Sequence, residues 1–274
     1  MIARKRKQGT KATKIMSVSI GTDNHPMNQR ATPALIIAPV RSGGTFLEHC
    51  LSNHPDIFCE RGEPLLVRSV WRPYTLKNRT RLLDVLLNQT GYRVSMCKLT
   101  YDQVFCEDVW AWVMKRNPKV IWLTRESLLR QAISMAINRM VNDDKLQRAQ
   151  HSFESVPVEP VTIDPAQIIR FIKHFGRQNA MAKAQLKQIK DVLPVTYEEI
   201  TRNPKQLYQA EGLNPDAGKR ICEFLGVPFE PMPTHLVRVN PGPLCSLLSN
   251  WQAVKDVLMK LYPEIVEGEQ HWDS

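Results

Sequence analysis

The stretch PALIIAPVRSGGTFLEHCLSNHP, Pro33 to Pro55, decides how this chain is read. Ala34 to Val40 is a short, almost wholly apolar run, the pattern of a central parallel strand buried on both faces. It is expected to end at Val40. Arg41–Ser42–Gly43–Gly44–Thr45 then makes a turn, and TFLEHCLSN starts a helix at once, with Phe46, Leu47, Cys50 and Leu51 at helical spacing. Asn53–His54–Pro55 is a stop signal for that helix. Such a turn favours an anion. Glycines let the backbone come close to it, and successive N–H groups at a helix N-terminus hold its charge. Ser42 and Thr45 add hydroxyl donors, and Arg41 adds a forked cation suited to phosphate or sulfate. A strand–turn–helix that needs its glycines only for geometry is the plainer alternative.

The turn is not a Walker A loop, whose G-x-x-x-x-G-K-[ST] pattern sets a lysine and a hydroxyl on phosphates and Mg²⁺. No lysine follows the second glycine, and the later strand KVIWLTR runs into Arg125 rather than an aspartate. Arginine and backbone are therefore expected to manage the anion's charge, and an ATP-hydrolysing enzyme is not indicated.

Working outward, YRVSMCKL, KVIWLTR and DVLPVTYEEI read as three more strands. DQVFCEDVWAWVMKRNP reads as one amphipathic helix closing at Asn117–Pro118, and SLLRQAISMAINRMVN as a long helix. DPAQIIRFIKHFGRQNAMAKAQLKQIK has Asp164 as N-cap and Pro165 at the first helical position. NPDAGKRICEFLGV is a helix capped by Asn214 and stopped by Gly226. The C-terminal part, from Asn240, begins as a loop and ends in a helix. Strands alternating with helices give α/β architecture, three layers with a central parallel sheet. No internal repeat or composition break divides it, so residues 32–274 are expected to form one domain behind a basic tail, 1–31. Residues 143–162 read as a loop.

The chain has 274 residues, 43% hydrophobic and 23% charged, the balance of a globular protein with ample chain for a core. No apolar run approaches the ~20 residues that span a bilayer. The basic start MIARKRKQGTKATK is followed by no apolar segment, so a signal peptide is not expected and the location is read as cytoplasmic. The formal net charge is +10. Part of it lies in Arg4 to Lys14, a solvated tail or, alternatively, a nucleic-acid-binding arm. The rest suits an anionic ligand. The six cysteines form no C-x-x-C pair and the seven histidines no H-E-x-x-H, so core thiols and no metal site are expected.

With these segments in hand, the chain resembles the PAPS-dependent sulfotransferases (PAPS is 3′-phosphoadenosine 5′-phosphosulfate). PVRSGGTFLEHCLSNHPDIFCERGEP is similar to the family's 5′-phosphosulfate loop, CKLTYDQ to its second strand, VIWLTRESLLRQAIS to its 3′-phosphate strand and helix, and LPVTYEEITRNP followed by ICEFLGVPF to a later stretch. The four occur in the family's order, from about Ala34 to Trp251, and look most like the bacterial carbohydrate and glycolipid branch. The resemblance implies a P-loop NTPase-like sulfotransferase fold. It places Arg41, Ser42, Gly43, Gly44, Thr45 and Phe46 on the 5′-phosphosulfate end, and Arg125 and Ser134 on the 3′-phosphate. The Arg-to-Ser spacing is one residue longer than in the steroid-type enzymes, which leaves Arg130 as a further phosphate candidate. Tyr197 falls at an adenine contact and Arg238 at a basic position near the nucleotide.

Sulfuryl transfer resembles phosphoryl transfer, an in-line displacement that needs charge stabilisation and a base for the acceptor's proton. The steroid-type K-x-H is absent: the sequence reads Lys98–Leu99–Thr100. The carbohydrate and tyrosine branches imply a glutamate after the first helix. Glu63, which follows Gly62, is assigned as base, with Glu60 as the alternative and His54 as a helix-end residue. Lys98 either neutralises the leaving oxygen or only lines the cleft. Trp71 and Tyr74 either stack on an acceptor or belong to the core. The expected function is transfer of a sulfuryl group from PAPS to a hydroxyl of a carbohydrate, glycolipid or small metabolite. The competing classes are a P-loop-like kinase or nucleotide hydrolase, and a non-catalytic nucleotide- or nucleic-acid-binding protein.

Overall fold

In the computed structural model, residues 30–65, 78–142, 159–201, 212–236 and 242–273 are described. Five strands and eleven helices follow in order: β1 (Thr32–Ala38), α1 (Gly44–Leu51), β2 (Ile57–Glu60), α2 (Arg79–Leu86), β3 (Val94–Thr100), α3 (Tyr101–Val104), α4 (Glu107–Arg116), β4 (Lys119–Thr124), α5 (Leu128–Asn142), α6 (Pro165–Leu186), β5 (Val192–Thr196), α7 (Tyr197–Ile200), α8 (Pro215–Leu225), α9 (Leu244–Leu247), α10 (Trp251–Leu261) and α11 (Pro263–Asp273). The strands form one sheet in the order β2-β3-β1-β4-β5, every pair parallel.

Alternation along β1 builds the three layers. Ala34, Ile36 and Ala38 pack with Phe46, Leu47, Cys50 and Leu51 of α1 and with Ile221, Cys222 and Leu225 of α8. Leu35 and Ile37 point the other way, onto Leu83 of α2, Val109 and Val113 of α4 and Leu186 of α6. A further core joins α5, the first half of α6 and α9 to α11. No helix among the described residues is long and apolar enough to cross a membrane.

The chain leaves β1 towards β2 on one side and leaves β4 towards β5 on the other. β1 and β4 are neighbours, so the crevice at their carboxyl ends is the switch point where such sheets take ligands. Both arginines singled out in the sequence, Arg41 and Arg125, follow those two strands.

Several boundaries differ from the sequence reading. β1 ends at Ala38, not Val40, and Pro39, which has no N–H for the ladder, begins the turn. The edge strand β2 was not anticipated: it is four residues long and only Ile57 and Cys59 are buried. The helix expected across DQVFCEDVWAWVMKRNP is broken into α3 and α4, with Cys106 in extended conformation as the cap of the second. α2 was not anticipated, and α6 stops at Leu186. The caps agree: Asp164 accepts from Ala166 N at 2.9 Å, Asn214 accepts from Asp216 N at 3.0 Å, and Gly226 closes α8 at φ 83°. All six cysteines are free thiols, four of them buried. Residues 1–29 of the tail, Trp71, Tyr74, residues 143–158 and Arg238 lie outside the described residues.

Candidate active site

The turn after β1 is held by its carbonyls. Pro39 O accepts the Ser42 hydroxyl at 2.7 Å, Val40 O accepts Gln131 Nε2 at 2.8 Å, and Arg41 O accepts Arg125 Nη1 at 3.3 Å. Three successive carbonyls are thus occupied by side chains from the turn itself, α5 and the end of β4. Among the described residues, none of the backbone N–H groups from Arg41 to Phe46 has a backbone acceptor. The turn is therefore a row of donors at the start of α1. Arg41 reaches it through a left-handed conformation, φ 64°, which is uncommon and strained for a residue with a Cβ.

The two glycines serve different neighbours. Gly43 has φ 86°, and a Cβ there would lie 2.3 Å from Cδ2 of Tyr197. Gly44 is helical, and its missing Cβ leaves room for the stem of Lys98, whose Cδ would be 2.9 Å away. One glycine seats a ring against the turn and the other lets a lysine pass beneath it.

Tyr197 and Arg125 meet because Thr124 and Thr196 are partners in the β4–β5 register, so each residue is the first beyond neighbouring strands. The Arg125 guanidinium lies over the Tyr197 ring, 4.9 Å from its centroid. Its Nε is 3.8 Å from Glu198 Oε1, and Glu198 Oε2 accepts from Glu126 N at 3.0 Å. Burial raises the Glu198 carboxyl above its ordinary range, against the pull of that backbone bond and of Arg125. Arg41 donates through Nε to Ser134 Oγ at 3.0 Å. Burial, and after it the neighbouring Arg125, lowers the Arg41 guanidinium to about 10. Two cations close enough to depress one of them are an electrostatic demand for an anion.

A cavity of about 150 Å³ opens beside the turn, lined by Arg41, Thr45, Glu63, Lys98, Thr100, Met135 and Asn138 among others. Lys98, only 5% exposed, stands 3.1 Å from Thr45 Oγ1 and 3.0 Å from Glu48 Oε2. Glu48 is itself 2% exposed and accepts a hydrogen bond from Gly62 N on its other oxygen. Burial raises its carboxyl; Lys98 is the largest influence pulling it back.

The expected site residues therefore fall into groups. Arg41, Gly43, Ser134, Arg125 and Tyr197 come together at the ends of β1, β4 and β5. Thr45, Gly44 and Glu63 come together at the cavity. Glu60 ends β2, paired in register with Cys97, whereas Glu63 is on the cavity wall. The Ser42 hydroxyl is turned inward to Pro39, and the Phe46 ring is buried in the core beneath the sheet. Both can offer an anion only their backbone N–H. Arg130 is engaged by Glu269 at 2.8 Å and by Gly242 O at 3.0 Å. His54 is buried with Nδ1 accepting from Asp56 N, 3.1 Å, and Nε2 then donating to Pro228 O, 2.8 Å. Among the described residues no three His, Cys, Asp or Glu side chains gather in one group.

Four residues escaped the sequence reading: Glu48, Gln131, Asn138 and Glu198. One signal was available for the first. Lys98 sits in VSMCKLT, a strand buried at every position, and a lysine there requires a buried counter-charge.

No family model matches the chain, and no curated protein does. Among solved structures, it is similar to the mouse sulfotransferase SULT7A1 complexed with PAP, at 16% identity and TM-score 0.44, over 73% of this chain and 60% of that one. It is also similar to the sulfotransferase domain from the curacin biosynthetic pathway, at 16% identity and TM-score 0.42, over 74% of this chain and 76% of that domain. The chain thus spans about 60% of the length of the mouse protein it matches.

Proposed function

We propose that this chain is a sulfotransferase that moves the sulfuryl group of PAPS to a hydroxyl of a carbohydrate, glycolipid or small metabolite. The observation that carries the reading is the junction of two half-sites. A turn with its carbonyls tied and its N–H groups without backbone acceptors among the described residues, next to Arg41 and Arg125, adjoins a cavity lined by one carboxylate, Glu63, and one ammonium, Lys98. The first half suits the phosphates and sulfate of the donor, and the depressed Arg41 guanidinium fits a multiply charged anion. The second suits an uncharged alcohol that must lose a proton.

In this reading the acceptor oxygen forms a bond to sulfur as sulfur's bond to the bridging oxygen breaks. PAP, the desulfated product 3′-phosphoadenosine 5′-phosphate, leaves with that electron pair, and the acceptor's proton passes to Glu63. Arg41 and the turn's N–H groups stabilise charge on the transferring group. Lys98, on the cavity wall, is assigned to neutralise the leaving oxygen. Tyr197 and Arg125 belong to the nucleotide side, with Ser134 holding Arg41 in place. Arginine and backbone take the role a metal has in phosphoryl transfer, so the reaction is metal-independent in this proposal. Residues 32–274 act as one domain, and free thiols suit a reducing, cytoplasmic setting.

The test is transfer of ³⁵S from labelled PAPS to a panel of sugars, glycolipids and small alcohols, with EDTA present. Label should enter at least one acceptor, and Glu63→Gln should lower the rate by roughly 10²-fold or more. Consumption of ATP but not PAPS would favour a kinase or hydrolase and overturn the proposal. Full turnover by Glu63→Gln, with unchanged pH dependence, would remove Glu63 as the base.

A further inference from the structure

We infer that Glu48 is a positioning residue for this reaction, holding the Glu63 loop and the Lys98 ammonium in register at the cavity. The inference rests on the sulfotransferase reading above. Glu48 is not on the cavity wall, yet each of its oxygens is bound to something that is, or that adjoins it. One accepts from the N–H of Gly62, the residue before Glu63; the other is 3.0 Å from Lys98 Nζ. Lys98 in turn donates to Thr45 Oγ1 at 3.1 Å. Three separate elements are thereby joined through one carboxylate: the first helix after the anion turn, the strand β3 that lies between β1 and β2, and the loop leaving β2.

The geometry of that loop makes the anchor consequential. Gly62 has φ 94°, a conformation that turns the chain sharply just before Glu63. Two side chains tie this corner to α1. Arg61 Nε donates to Ser52 Oγ at 3.0 Å on the surface, and Gly62 N donates to the buried Glu48 carboxylate. The second ends on a carboxylate only 2% exposed, so it is the better shielded of the two and the firmer anchor for the residue before Glu63. Stability alone is a poor reason for such a group. A buried ion pair can often be exchanged for apolar residues of similar volume without loss. Its value here is that a base and a cation lining one cavity share a rigid support.

The experiment compares Glu48→Gln and Glu48→Ala, each alone and combined with Glu63→Gln. PAP affinity is measured beside kcat for sulfuryl transfer. Both single variants should lose far less PAP affinity than kcat, because Glu48 is bound to Gly62 and Lys98, not to Arg41 or Arg125. Their kcat should fall roughly 10- to 100-fold. Gln should lose less than Ala, since its amide oxygen still accepts from Gly62. In the Glu63→Gln background the further loss should be much smaller, as expected when one residue acts through the other. If Glu48→Ala does not fold, Glu48→Gln decides. Wild-type kcat in Glu48→Gln, an equal factor in both backgrounds, or a matching loss of PAP affinity would overturn the inference. A wild-type protein that transfers no sulfuryl group fails the underlying reading instead, and is told apart by that control.

Discussion

Gly43→Ala and Gly44→Ala form a pair of neighbouring, chemically identical changes that should have different effects. At Gly43 the backbone has φ 86°, where a Cβ adds about 1–2 kcal/mol of strain. The new methyl would also stand 2.3 Å from Tyr197 Cδ2, against a normal separation of about 3.5–4 Å, so the ring must move by more than 1 Å. That ring lies beneath the Arg125 guanidinium, so overpacking should add about 1–3 kcal/mol. The sum is about 2–5 kcal/mol, or a melting point lower by roughly 5–15 °C in a chain of this size. PAP affinity should fall with it, because Arg125 moves with the ring. Gly44→Ala meets only the Lys98 stem at 2.9 Å and keeps helical backbone, where alanine is favoured by up to about 1 kcal/mol. Its stability should stay within about 1 kcal/mol of wild type. Lys98 should be pushed off Thr45 and Glu48, and turnover should drop about tenfold. Thermal and urea unfolding beside PAP titration read all three quantities. A Gly43→Ala protein melting with wild type would show that Tyr197 is not seated on the turn. Equal destabilisation by both changes would refute the separate roles of the two glycines.

Two further outcomes follow from the same contacts. His54→Ala removes a buried ring together with its hydrogen bonds to Pro228 O and Asp56 N and should lower stability by about 1–3 kcal/mol in urea unfolding. Its turnover per folded molecule should not change, and a large loss of turnover would make His54 part of the chemistry. Glu198 has a raised carboxyl pKa, so the folded state holds its proton more tightly than the unfolded one. The sign is then fixed: its contribution is fully present below the ordinary carboxylate value and is lost as pH rises through the elevated pKa. Glu198→Gln should flatten the decline in unfolding free energy between acid and neutral pH, and an unchanged slope would contradict the assignment.

Four of five strands were legible because each carries a run of apolar residues; this holds even for the edge strand β5, where only Val195 is buried. β2 was not, since Ile57–Glu60 is only four residues long and follows directly on the helix-stop signal Asn53–His54–Pro55. Helix ends were legible where a local side chain makes the cap, as at Asp164 and Asn214. The break at Cys106 was not: apolar spacing continues across it, and the cap is made by backbone conformation rather than by a side chain. At the site, the sequence could name Arg41 from the glycine turn that follows a strand, and Arg125 and Tyr197 through the family resemblance. The Glu48–Lys98 pair joins residues 50 positions apart, and helical spacing alone puts Glu48 away from the apolar stripe. Ser42 and Phe46 show the reverse limit: a motif names the residue but not the direction of its side chain.

The most direct measurement is calorimetric titration of the full chain with PAP in the presence of EDTA, with ATP as comparison and Arg125→Ala as control. The account predicts PAP binding that survives EDTA and exceeds ATP binding. In Arg125→Ala it should weaken about 10- to 100-fold, the worth of a charged hydrogen bond. A folded protein that ignores PAP, or binds it equally well without Arg125, would contradict the claim that this crevice is built for the sulfuryl donor.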